Sequence, residues 1–132
     1  GKSNDYPTDI IAITVLTSHE QKTLRKDLRL QAQIDDYARH LAHVSKQSGM
    51  DGVVCSVYET KAIKALCGHD FITVTPGIRL KTASNDDQKR IATPLRAKKQ
   101  GADRIVVGRS VTKAKDPRHA YEQVLKEWND AE

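Results

Sequence analysis

Residues 71–80 read FITVTPGIRL, and residues 101–117 read GADRIVVGRSVTKAKDP. In the first stretch a β-branched run from Phe71 to Thr75 meets a Pro76-Gly77 turn and then Arg79. In the second, an apolar run from Arg104 to Val107 ends at Gly108-Arg109. Between them lies a polar loop, Arg79 to Arg90, that contains Asp86, Asp87 and Gln88. A helix then starts at Thr93-Pro94, with Thr as N-cap and Pro at the first helical position. Strand, helix and strand in this order make the βαβ unit of a parallel sheet. An arginine and freely approached backbone N–H groups at the C-terminal ends of such strands are suited to a phosphate.

The same alternation extends outward. Ile10 to Leu16 (IIAITVL) is apolar on both faces, as a strand buried in a parallel sheet would be. A short helical stretch is expected around Leu24 and Leu28. An amphipathic helix follows, with Ile34, Tyr37, Ala38, Leu41 and Val44 at helical spacing. Asp35 and Asp36 favour its N-terminal end, and Gly49 stops it. Gly52 to Val57 reads as the second strand. A helix from about Glu59 to Leu66 is expected to bury Ala62, Ile63 and Leu66, with Gly68 ending it. After the fourth strand, Asp116-Pro117 repeats the cap-and-proline start. The last helix is expected to bury Tyr121, Val124, Leu125 and Trp128.

Four strand–helix units in 132 residues form one domain, 1–132. They amount to about half of a (β/α)8 TIM barrel, the last four βα units, because a whole barrel takes roughly 250 residues. Four parallel strands alone would leave two open edges and half of a barrel core uncovered. A flavodoxin-like open sheet is the alternative, but it would want one more strand.

The charged fraction of 30% and hydrophobic fraction of 38% belong to a soluble globular protein. No apolar run could span a bilayer, and the N-terminus has no secretory signal core, so a cytoplasmic protein is expected. Cys55 and Cys67 read as reduced, buried thiols. The five histidines have no metal-ligand spacing, and no metal is expected. His40 and His43 share a helix face, which reads as solvated. The net charge of +5 comes without a nucleic-acid motif or aromatic interleaving. It suits a phosphorylated small ligand better than nucleic acid.

Six residues are the candidates for such a ligand. Gly108 permits close approach of the backbone, and Arg109 supplies a forked, permanent cation. Arg79 could bind phosphate or hold the loop through Asp86 or Asp87. The neutral amide of Gln88 could span a phosphate oxygen and a base edge. Pro76 shapes the turn and offers an apolar wall to a ring. Thr17, or Ser18 beside it, could bond a ligand amide, or could cap the next helix.

Together these residues resemble the C-terminal half of orotidine 5′-phosphate decarboxylase. The match runs through AITVLTS, SGMDGVVCS, VTPGIR, DDQKRIATP and GADRIVVGRSVTKAKDP to the helix ending near Trp128, nearly the whole chain. The resemblance implies a (β/α)8 barrel that converts orotidine 5′-monophosphate to uridine 5′-monophosphate and CO2 without metal or organic cofactor. It implies that Thr17 bonds the pyrimidine, that Pro76 lines the site, and that Arg79, Gln88, Gly108 and Arg109 grip the phosphate. It further implies a homodimer for the intact enzyme.

The chain departs from that family in its catalytic run and in the early aspartate and lysine that, by the resemblance, grip the ribose. The family's catalytic run has the form Asp-x-Lys-x-x-Asp, and no lysine here has Asp two before and Asp three after. Lys89 has Asp87 but Ala92, and Lys113 has Asp116 but Val111. No catalytic residue is therefore expected in this chain. It is expected to be inactive alone and to need the N-terminal half of the barrel as partner. The competing readings are a non-catalytic phosphate- or nucleotide-binding half-barrel and a related phosphosugar barrel enzyme.

Overall fold

Among the described residues, four short strands form one parallel sheet in the order β1-β2-β3-β4: β1 Ile11–Ile13, β2 Gly52–Val54, β3 Ile72–Thr75 and β4 Arg104–Ile105. The structure is a computed structural model that describes residues 7–15, 33–80 and 92–131. One row of register partners runs across the whole sheet: Ile13, Val54, Val74 and Arg104. The strands are shorter than the apolar runs that announce them. Ladder bonds continue just past them, from Thr14 N to Val54 O (3.2 Å), Cys55 N to Val74 O (3.0 Å) and Val106 N to Thr75 O (2.9 Å). Val57, expected to end β2, has instead turned into the next helix.

Among the described residues the helices are α1 Ile34–Gln47, α2 Val57–Cys67, α3 Pro94–Lys99, α4 Arg109–Thr112 and α5 Pro117–Asn129. Their ends follow the local chemistry. Asp35 and Asp36 occupy the first turn of α1 and Lys46 its last, each complementing the helix dipole. Thr93 Oγ1 accepts the Arg96 N–H at 3.2 Å, and Asp116 Oδ1 accepts that of His119 at 3.0 Å. Pro follows each cap, as expected. The four-residue α4 was not anticipated. Its sequence, RSVT, is too short to show a period. The helical stretch expected around Leu24 and Leu28 lies outside the described residues.

The helices pack on one face of the sheet. Ala12, Val53 and Cys55 meet Ala42, Ile63, Cys67 and Phe71. Val57, Ile78, Ala92, Ala97 and Ala102 form a second cluster, flanked by Ile105, Val107 and Trp128. Val15 and Ala38 join the two elements nearest the β1 edge. The opposite face is open: Ile13 is 63% exposed and Val106 51%. Three expectations of burial fail, because Leu66, Tyr121 and Leu125 are exposed, and Ala62 is only half-buried. Each lies at helical spacing beside the inward stripe, where burial needs a further neighbouring element. Among the described residues α5 meets chiefly α3 and α4. Ile63 and Val124 are buried as expected, and Trp128 is half-buried beneath the Lys98 ammonium, 4.7 Å from the ring centroid.

Both cysteines are buried and unbridged. Burial pushes the Cys55 thiol up to about 12, which makes it a packing residue rather than a nucleophile. Among the described residues no three His, Cys, Asp or Glu side chains group as a metal site. None of the described helices is long and apolar enough to cross a membrane.

Candidate functional site

The two ends of the sheet are chemically unlike. At the N-terminal end, Lys64 from the last part of α2 is buried and donates to three acceptors: His69 O and Phe71 O at 2.8 Å and Asp103 Oδ2 at 2.5 Å. The same Asp103 oxygen accepts Thr73 N at 2.7 Å. Burial alone would push the Asp103 carboxyl up. The bonds from Lys64 and Thr73 outweigh it, and the net shift is downward. These groups satisfy one another and leave nothing for a ligand.

The C-terminal end is where expected site residues gather. β3 passes into Pro76 and then Gly77, whose φ of 75° lies in the left-handed region that glycine tolerates. Ile78 then bridges to Ala92, and Arg79 N donates to Ala92 O at 2.9 Å. On the neighbouring strand, β4 leads through Val106 and Val107 to Gly108, the N-cap of α4, and to Arg109 in its first turn. Gly108 O accepts from Val111 N (3.0 Å) and Thr112 N (3.1 Å), which anchors the turn. A Cβ on Gly108 would meet nothing within 4 Å, so open space lies in front of this backbone. Arg79 and Arg109 are both exposed, and among the described residues neither joins an ion pair. Two adjacent strands thus present two arginines, a half-buried proline and an open glycine backbone at one end. That set can hold an anion carrying a ring. Thr17 and Gln88 lie outside the described residues, as do Asp86 and Asp87. His40 and His43 are exposed on α1, as read.

One residue at this end was missed. Glu59 is buried at the start of α2, and its carboxylate accepts Ser56 N at 2.9 Å. Burial pushes its carboxyl up, against the opposing hydrogen bonds from Ser56. The signal was legible as Ser56-Val57-Tyr58-Glu59, a Ser-x-x-Glu capping box.

Residues 2–124 match the family model described as Orotidine 5′-phosphate decarboxylase / HUMPS family. The chain belongs to this family. An orotidine 5′-phosphate decarboxylase of Bacillus pumilus is 51% identical over 120 residues, which cover 91% of this chain and 51% of that protein. One from Listeria monocytogenes is 46% identical over 129 residues, covering 98% of this chain and 55% of that protein. The chain therefore spans about half the length of the curated relatives it matches. The crystal structure of orotidine 5′-phosphate decarboxylase from Lactobacillus acidophilus superposes with a TM-score of 0.77 at 40% identity, over 92% of this chain and 49% of that one. At 20% identity the decarboxylase from Pyrococcus horikoshii still gives 0.66, which shows a shared fold. The parallel sheet is thus half of the TIM barrel of the decarboxylase family, as read from the alternating strands and helices.

Proposed function

We propose that this chain is the phosphate- and pyrimidine-binding half of an orotidine 5′-phosphate decarboxylase, acting in the cytoplasm on orotidine 5′-monophosphate. The observation that carries this reading is the gathering of Pro76, Arg79, Gly108 and Arg109 at the C-terminal ends of two adjacent strands. The relatives named as this enzyme, at 46–51% identity, support it. Arg79 and Arg109 grip the phosphate with the backbone at Gly108, Pro76 walls the pyrimidine, and Gln88 joins phosphate to base. Thr17 bonds the pyrimidine amide.

The reaction needs more than this half holds. A carboxylate must face the substrate carboxylate as CO2 leaves, and a lysine must stabilise and protonate the carbanion left on the ring. The chain has no Asp-x-Lys-x-x-Asp run to supply them. Those groups come from the N-terminal half of the barrel, in an intact enzyme that is a homodimer. What this half contributes is binding energy remote from the reacting carbon, which lowers the barrier there. No metal or organic cofactor is required.

Titration of the chain with uridine 5′-monophosphate, followed by calorimetry, tests the reading. Binding that prefers the nucleotide over ribose 5-phosphate is expected, with no CO2 release from orotidine 5′-monophosphate by the chain alone. Equal affinity for both phosphates would move the function to the competing reading, a related phosphosugar barrel enzyme. Turnover by the pure chain would refute the assignment of the catalytic groups to the other half.

A further inference from the structure

We infer that Lys113 and Lys115 are capture residues for a phosphate dianion. They draw it through solvent toward Arg109 and set how fast it arrives, while Arg109 and the Gly108 backbone hold it. The inference deepens the function proposed above and rests on a phosphate seated at Gly108-Arg109. The chain carries a net charge of +5, and residues 108–118 hold four cations against a single acid. That acid, Asp116, caps α5, where its Oδ1 accepts His119 N at 3.0 Å. Arg118 is paired with Glu122 at 3.2 Å. Arg109, Lys113 and Lys115 remain, all exposed and, among the described residues, without an ion pair. They lie on α4 and its connection to α5, away from the open sheet face and the strand edges.

The local geometry sets Lys113 beside Arg109. Lys113 N donates to Arg109 O at 3.0 Å and Ala114 N to Val111 O at 3.1 Å, so the turn that starts at Arg109 closes on Lys113. The two cations stand at i and i+4, the spacing at which like charges repel and weaken a helix. Residues 109–113 contain no carboxylate to offset this. An anion arriving at the Gly108 backbone does offset it, and a Cβ there would meet nothing within 4 Å. The residue types suit different steps. An arginine fork fixes a phosphate in one orientation, whereas a lysine ammonium is a strongly hydrated point charge on a flexible stem. Clustered charge of one sign raises the local concentration of its counter-ion and the rate of encounter.

Fluorine NMR line shapes of 5-fluorouridine 5′-monophosphate give its association and dissociation rates with the chain. At about 10 mM salt, where the Debye length is about 30 Å, Lys113→Glu combined with Lys115→Glu should slow association about tenfold. Dissociation should change by less than about twofold. At about 1 M salt, where the Debye length is about 3 Å, the difference in association should vanish. Lys113→Gln should fall between the unaltered chain and Lys113→Glu, and Lys113→Arg should keep the rate. Lys126→Glu, in the last turn of α5, makes the same change in net charge as Lys113→Glu and should slow association by less than about twofold. Equal slowing by Lys126→Glu and Lys113→Glu overturns the inference, as does faster dissociation in place of slower association. Nucleotide binding at rates indifferent to both lysines sinks the capture role alone. Charge-dependent capture of inorganic phosphate by a chain that shows no preference for the nucleotide sinks the proposed function alone. A chain that binds neither sinks both.

Discussion

Asp103, partly exposed, and Glu59, buried, are carboxylates at opposite ends of one sheet, and their environments push them in opposite directions. Asp103 has a buried ammonium and a backbone N–H on one oxygen, so its charge is favoured. Glu59 has no ion-pair partner among the described residues and caps a helix start, so burial disfavours its charge. The contrast extends to the arginines. The cation at the N-terminal end is buried and saturated, whereas Arg79 and Arg109 at the other end are exposed. One end therefore spends its polar groups on one another, and the other leaves its arginines exposed, which is the division the proposed function needs.

Removing the buried cation should produce the largest effect. Lys64→Met removes the cation from Asp103 and the donor from two carbonyls and should lower unfolding free energy by about 3 kcal/mol in urea titrations, the low end for a buried pair because Asp103 is partly exposed. Nucleotide affinity per folded molecule should not move. Arg109→Ala should do the reverse, weakening uridine 5′-monophosphate by about 1.5–3 kcal/mol while stability changes by less than about 0.5 kcal/mol. Equal stability losses in these two variants would abolish the contrast between the ends. Thr93→Ala removes an N-cap bond and should cost about 1 kcal/mol of stability, read from the same urea curves.

The smallest effects are in pH, and they sharpen the comparison most. The folded Asp103 carboxyl titrates below its unfolded value, so its contribution is complete above that value and is lost as pH falls through the folded one. Asp103→Asn should flatten this acid limb. The folded Glu59 carboxyl titrates above its unfolded value, so stability declines as pH rises from the unfolded value through the folded one. Glu59→Gln should remove that decline and leave the chain slightly more stable at neutral pH. Matching slopes in the two variants would show that the two environments do not differ.

Much of this was legible in the sequence where the signal is local. Thr93-Pro94 and Asp116-Pro117 marked their helices because a cap and a proline act within one turn. The apolar runs announced the parallel pairing of the strands, and Gly108-Arg109 lies just past β4, at the C-terminal end where it was expected. What periodicity could not give was the partner of each apolar stripe. Leu66, Tyr121 and Leu125 have the right spacing for burial but no described element over them. The Lys64–Asp103 pair was also invisible, since its partners lie 39 residues apart and no spacing rule links them. Thr17 and Gln88 rest on resemblance, for they fall outside the described residues.

The bridge between Ile78 and Ala92 has an evolutionary corollary. It brings the chain back to its point of departure, so whatever lies between 80 and 91 is hung from a closed base. Doubling the length of such an insertion costs only about 0.6 kcal/mol in closure entropy. Lineages of this fold can therefore lengthen, shorten or rewrite that stretch, and retune what it contacts, while the register of β3 and the cap at Thr93 stay where they are.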